Sequence, residues 1–353
     1  MIPLVYTLVD RRGDEFYARF PSDRKYDQNQ LVASFRATSN LSPSRTETSF
    51  PGGEVRSGKV QNFWTQRMTG GPCWQVIPTK LNPEQFDEFV LPHLSLGRRG
   101  PPPTLALHKI FNYILQVLYM GCQWKMLPIA RNAEGHPEIH YTRIYRSFRR
   151  WQADGCMDAI FAGSVSRLHD DCLLDLTVVH GDGTTTAAKK GGDNLGYSGH
   201  KHLKGDKVVP FCDRHCNVIA PFVSAPGNRN ESPLLRDALP KLTAMARAIG
   251  ADLQGTIVSL DGVYDCRANR RAIFNRGMIP NIRENLRGRK TPKRGRRQRF
   301  DPAIFEERFR TIERVFAWED KFRRLLLRFE HISEVHYAFK TLAYTMINLR
   351  HYC

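Results

Sequence analysis

Apolar and polar positions divide the chain into stretches of different texture. Residues 1–75 mix polar residues, Gly and Pro without lasting periodicity, as in Ser39-Asn-Leu-Ser-Pro-Ser-Arg, and read as a poorly ordered or appended segment. Asn82-Pro83-Glu84-Gln85 then predicts a helix start, with Asn as cap, Pro in the first turn and Gln able to reach back to the Asn82 amide. Phe86, Phe89 and Val90 supply the apolar side of that helix. After a Pro-Gly linker, Gly97 to Pro103, the run Thr104 to Met120 predicts a mostly apolar helix ended by Gly121. Pro137 to Ala153 predicts an amphipathic helix carrying Ile144, Phe148 and Trp151 on one side. Trp124 and Trp151 are the expected core anchors of this all-helical region, residues 76–170.

From Leu174 the period shortens. Leu176 to His180, Lys207 to Cys212 and Asn217 to Val223 read as three strands in succession. Ser232-Pro233 opens a helix closed by Gly250, Thr256 to Leu260 is a buried-type strand, Asp265 to Asn275 is helical, and Met278 to Arg283 is a last strand. The order β-β-β-α-β-α-β implies an α/β unit over residues 171–353, with a mixed sheet flanked by helices. Asn285 to Arg299 reads as loop. Asp301-Pro302 starts a helix that meets no Gly or Pro through Glu330, and another runs from Val335 to Tyr352.

Charge narrows the function. Lys and Arg number 53 against 35 Asp and Glu, a surplus of 18 that points to a polyanionic partner. Arg143, Arg146, Arg149 and Arg150 line the polar faces of the Pro137–Ala153 helix, which is either a solvated basic face or a reader of double-stranded DNA, and the chain-wide charge favours DNA. The loop before the penultimate helix holds eight cations and no acid, among them Arg294, Arg296, Arg297 and Arg299, and is expected to clamp phosphates. Lys189, Lys190, Lys201 and Lys204 are read as further phosphate contacts. No apolar run is long enough to span a bilayer and the start lacks a signal-peptide pattern, so a cytoplasmic location without membrane association is expected. Eight scattered cysteines do not make a disulfide framework. Cys212-Asp-Arg-His-Cys216 is off the usual zinc spacing and reads better as a turn with two buried thiols.

Three acids stand where chemistry is expected. Asp182 follows directly on the first strand between two glycines, and Asp261 repeats the pattern at the end of Thr256 to Leu260. If those strands are neighbours, the carboxylates lie side by side, which is costly unless a cation sits between them. On the following helix, Glu313 falls about 40° to 60° from Phe309 and Phe316, inside the apolar stripe, and Glu306 lies on nearly the same face, so periodicity does not choose between the two. Three such acids form an all-oxygen set suited to two Mg²⁺ or Mn²⁺ ions and to in-line phosphoryl displacement.

Gly121-Cys-Gln-Trp-Lys-Met-Leu-Pro, Phe148-Arg-Arg-Trp-Gln-Ala-Asp-Gly, Asp182-Gly-Thr-Thr-Thr with Gly196-Tyr-Ser-Gly-His-Lys, Asp261-Gly-Val-Tyr-Asp and Ile312-Glu-Arg-Val-Phe-Ala-Trp with Phe322-Arg-Arg-Leu resemble the DDE transposases of bacterial insertion sequences, in the insertion sequence five family. The resemblance covers about three quarters of the chain. It implies an RNase H-like catalytic domain, Asp182, Asp261 and Glu313 as metal-binding triad, terminal inverted repeats and target DNA as substrates, at least a homodimer in the active complex, and a nucleoid-associated location. It also implies DNA contacts near the glutamate, assigned here to Arg308 and Lys321. The family's Tyr and Arg, seven and four residues before the Glu, are Glu306 and Phe309 in this chain, and its Lys seven residues after is Asp320. A catalytically inactive DNA-binding relative is the competing reading.

Overall fold

The computed structural model describes residues 76–96, 105–285 and 298–353, together with the backbone of two short strands near the amino terminus. Those strands, β1 (Leu4–Val9) and β2 (Glu15–Phe20), pair antiparallel where no lasting periodicity was read, and belong to a compact unit over residues 1–72. Residues 73–353 form the second compact unit. The Pro-Gly linker and nearly all of the basic loop, Arg294, Arg296 and Arg297 included, lie outside the described residues.

The helical region begins with α1 (Pro83–Phe89). Asn82 accepts from the Gln85 amide at 2.7 Å while the Gln85 side chain accepts from the Asn82 amide at 3.0 Å, the reciprocal cap expected from the sequence. Asn82→Ala should therefore cost about 1 kcal/mol of stability, read as a small drop in chemical-denaturation midpoint with an unchanged slope. Next come α2 (Leu107–Met120), stopped by Gly121 at φ 69°, then α3 (Tyr141–Ala153) and α4 (Cys156–Asp170). The last was not foreseen from the sequence. Its start is marked only by Gly155, which takes a left-handed conformation (φ 74°) at the cap.

The sheet follows. β3 (Val178–Gly181) and β4 (Thr184–Ala188) are separated only by Asp182 and Gly183. β5 (Gly196–Ser198) and β6 (Leu203–Val209) come next, then β7 (Phe211–Cys212), which continues β6 beyond Pro210. The third expected strand, Asn217 to Val223, does not form as expected: the observed strand is β8 (Val223–Pro226), which shares only Val223 with it. In its place Asp213 closes a turn by accepting from the amides of His215 and Asn217. α5 (Glu231–Ala248) leads to β9 (Ile257–Leu260), and α6 (Arg267–Phe274) to β10 (Ile279–Ile282). β10, β9 and β3 run parallel, β7 lies antiparallel to β3, and β6 lies antiparallel to β4 and to β8. The strands therefore make two mixed sheets, β10-β9-β3-β7 and β11-β4-β6-β5 with β8 beside β6, in place of the one mixed sheet expected.

The single long helix expected from Asp301 to Glu330 is broken. α7 (Pro302–Glu307) ends in a 3-10 turn, Arg308–Arg310, and α8 (Ile312–Glu319) starts afresh after Thr311. Thr311 has non-helical angles (φ −117°, ψ −90°), and its hydroxyl donates to the Glu307 carbonyl at 2.9 Å, which competes with a helical bond. β11 (Leu327–Arg328) then pairs with β4, and α9 (Ser333–Leu349) closes the chain.

α9 is buried on nearly every side. Its Phe339, Leu342, Met346 and Ile347 join Phe111, Ile114, Phe148 and Trp151 of the helical region in one core, while Val179, Val258 and Leu260 of the sheet pack with Leu235 and Leu239 of α5 in another. Trp151 is fully buried and Trp124 lies at the core's edge, stacked on Phe339. Two polar residues of α9 share one acid: Lys340 pairs with Glu319, whose other oxygen accepts from Tyr344 Oη at 2.7 Å. No helix among the described residues is long and apolar enough to cross a membrane.

Candidate functional site

Asp182 and Asp261 are brought together by strand register. β3 and β9 are parallel neighbours with His180 opposite Ser259, so two residues further along each strand stand Asp182 and Asp261. The two turns are built alike: Gly183 N donates to Asp182 Oδ1 at 2.8 Å, and Gly262 N to Asp261 Oδ1 at 2.6 Å. The glycines around Asp182 have a further cause. A Cβ on Gly181 would stand 2.7 Å from the Phe211 ring, and one on Gly183 would stand 2.7 Å from the Glu231 carboxylate. Asp265, the second acid of Asp261-Gly-Val-Tyr-Asp, is instead a structural lock, accepting from Arg270 Nε at 2.9 Å and from the Asn285 amide at 3.0 Å.

Glu313 joins them through a cation. The Arg308 guanidinium forms an ion pair with Asp182, with Nη2 also 3.7 Å from Glu313 and Nη1 3.7 Å from Asp261. The helical-wheel premise for Glu313 does not hold, because the break at Thr311 resets the phase: its side chain is 44% exposed, and Ile312 and Val315 form the buried side of α8. Glu306 is exposed on α7 and makes no ion pair with Arg308. Its neighbour Glu307 binds Arg214 and sits 3.6 Å from His180 Nε2.

Burial sets the electrostatics. It pushes the Asp182 carboxyl up to about 6, with Arg308 and the Gly183 amide pulling it back and Glu313 and Asp261 pushing it further. Burial likewise holds His180, two residues before it, down to about 4 despite Glu307. The Tyr264 hydroxyl is buried without a hydrogen-bond partner, and burial together with the charge of Asp182, Glu231 and Asp261 keeps it protonated. Glu231, at the first turn of α5, is paired with Lys207 at 3.3 Å. The sequence reading missed Glu231, Lys207 and Tyr264. The Glu-Ser-Pro start of α5 was legible as a helix start, but nothing local placed it against Gly183.

The donor set fits a hard divalent cation: three carboxylates from two strand ends and one helix already converge on a single positive group. With the guanidinium among them they do not close into a cage, and no cluster of three His, Cys, Asp or Glu able to hold a metal occurs among the described residues. Cys212 and Cys216 are buried free thiols, and burial raises both above the usual range.

The remaining candidates lie elsewhere. Arg143, Arg146 and Arg150 are exposed together on α3, and Lys189 and Lys321 are exposed on turns. Exposed Lys201 reaches Thr185 Oγ1 at 3.0 Å. Arg308 is 7% exposed, committed to the acids instead of the surface.

The family model for the transposase DDE domain matches residues 167–346, and the chain belongs to that family. A second model, "Putative transposase of IS4/5 family", matches residues 81–161. The chain is similar to a Burkholderia cepacia protein titled "Putative transposase for insertion sequence element IS402", with 33% identity over 116 residues. That match covers 33% of this chain and 47% of the relative, so it spans about half the relative's length. Among solved structures, a piggyBac transposase synaptic complex with hairpin DNA aligns over 77% of this chain and 74% of its own at 9% identity, TM-score 0.42. The Mos1 transposase paired-end complex aligns over 65% and 68% at 14% identity, TM-score 0.23.

Proposed function

We propose that the protein is an insertion-sequence transposase that binds the inverted repeats at its element's ends, hydrolyses a phosphodiester there and joins the freed 3′-hydroxyl to target DNA. The observation that carries this reading is the register-matched pair Asp182 and Asp261 meeting Glu313 on one cation. Asp182, Asp261 and Glu313 would hold two Mg²⁺ or Mn²⁺ ions. Such ions supply an activated water and charge neutralisation at the leaving oxygen. The chain's own part is to fix the two aspartates at rigid strand ends and to bury Asp182 away from competing water.

DNA is held by the basic surface. Arg143, Arg146 and Arg150 on α3 read or clamp the element end, with Lys189, Lys201, Lys321 and the cations of the 285–299 loop as phosphate contacts. Two ends are brought together by two copies of the chain, which acts in the cytoplasm at the nucleoid. Labelled end duplexes incubated with Mg²⁺ and a target plasmid test the reading. Strand-transfer products support it, cleavage without joining points to a nuclease, and binding without cleavage points to an inactive relative. Replacing Arg143, Arg146 and Arg150 by Ala in the full chain should weaken binding and flatten the dependence of log K on log salt by up to ~0.9 per lost phosphate contact. An unchanged slope in gel-shift titrations would remove α3 from the DNA interface.

A further inference from the structure

Arg308 is an unusual occupant for a cluster of metal-ligating acids. Its guanidinium is held among Asp182, Asp261 and Glu313, its Nε has no hydrogen-bond partner, and its charge lies over the rings of Phe305 and Phe309 at 5.4 and 5.8 Å. Three carboxylates facing one another repel strongly unless a positive charge stands between them. One guanidinium against three carboxylates leaves two negative charges over (3 − 1 = 2), so the cluster still draws cations. The 3-10 turn that carries Arg308 is the break that separates α7 from α8 and brings Glu313 into the cluster.

We propose that Arg308 is an internal substitute cation, which fills the place of a divalent ion among Asp182, Asp261 and Glu313 and is displaced when metal binds. This rests on the metal-dependent reading above. The guanidinium holds the acids in place before metal arrives, and its departure opens the cluster. It is a positioning residue for the metal-free site, and it sets the threshold that metal must overcome to enter.

The test is Mn²⁺ binding by the full chain, followed by titration calorimetry and by the electron paramagnetic resonance of free Mn²⁺, without DNA. Arg308→Gln should bind Mn²⁺ roughly tenfold tighter or more, because the ion no longer has to displace a competing positive charge from the three acids. The same variant should melt lower in chelator yet gain more from added Mn²⁺ than the unaltered chain. Arg308→Lys, a point charge that cannot fork between the acids, should fall between the two. A purely structural role would lower melting equally with and without metal and leave affinity unchanged, and that result overturns the proposal. Weaker Mn²⁺ binding by Arg308→Gln overturns it too.

Should Arg308→Gln fail to fold, the Arg308 side-chain NMR signal of the unaltered chain decides. It is assigned by its loss in Arg308→Lys, must shift on Mg²⁺ titration, and if stationary refutes displacement. If the unaltered chain binds no Mn²⁺ that Asp182→Asn abolishes, the metal reading itself fails. If it does bind and Arg308→Gln binds no tighter, only the role of Arg308 fails.

Discussion

Asp182→Asn, Asp261→Asn and Glu313→Gln are each expected to lower Mg²⁺-dependent cleavage of element-end DNA by about a thousandfold or more, equivalent to at least about 4 kcal/mol of transition-state stabilisation. Binding of the same DNA should change little, because the three acids contribute no attraction for phosphate in the ground state. The substitutions are close to isosteric, so the Gly183 and Gly262 amides keep an acceptor and the turns should survive. Glu306→Gln is the control. Glu306 is exposed on α7 and unpaired with Arg308, so its variant should cleave like the parent, whereas a dead Glu306→Gln beside an active Glu313→Gln would reassign the third acid. Asp265→Asn separates a lock from a ligand: loss of its pair with Arg270 should show first as lower thermal stability.

The second large effect concerns folding. Phe339 on α9 stacks on Phe148 of α3 with ring centroids 4.4 Å apart and on Trp124 at 6.0 Å, and it is fully buried. Phe339→Ala should cost about 3 to 5 kcal/mol, the transfer of a phenyl ring plus the cavity it leaves. Since α9 completes the core of the helical region and also carries Lys340 and Tyr344 to Glu319, the loss should spread to both. Calorimetry should show one transition moved down over residues 73–353. A variant that melts in two steps, with the sheet unaffected, would show that the C-terminal helix does not couple the two cores. For the same reason α3 is best tested for DNA binding within the full chain.

The two aspartates illustrate what a sequence can determine. Each follows a short strand and precedes a glycine, so the local pattern alone identifies a strand end carrying an acid, and repetition of the pattern marks the pair. The reciprocal cap at Asn82, the stop at Gly121 and the arginine face of α3 were legible for a similar reason. Each depends on residues within one or two helical turns, where backbone geometry and side-chain reach are set locally.

Only the tertiary structure decided the rest. The region from Asp301 to Glu330 has no Gly, and no Pro after Pro302 in its first turn, so its pattern reads as one helix. The chain breaks at Thr311, next to the turn where Arg308 pairs with Asp182, 126 residues away, and Glu313 lies 3.7 Å from the same guanidinium. Glu231 and Lys207 entered the site neighbourhood by packing against Gly183 and across β6, contacts that leave no local periodicity. α9 reads as an ordinary helix, yet it is buried all round because two layers of the fold close over it, and its Lys and Tyr find their acid on α8. Local sequence therefore fixed which residues could carry charge and where strands end. The pairing of those charges depended on long-range contacts that repay buried carboxylates with buried cations, and such contacts exist only once the chain has folded.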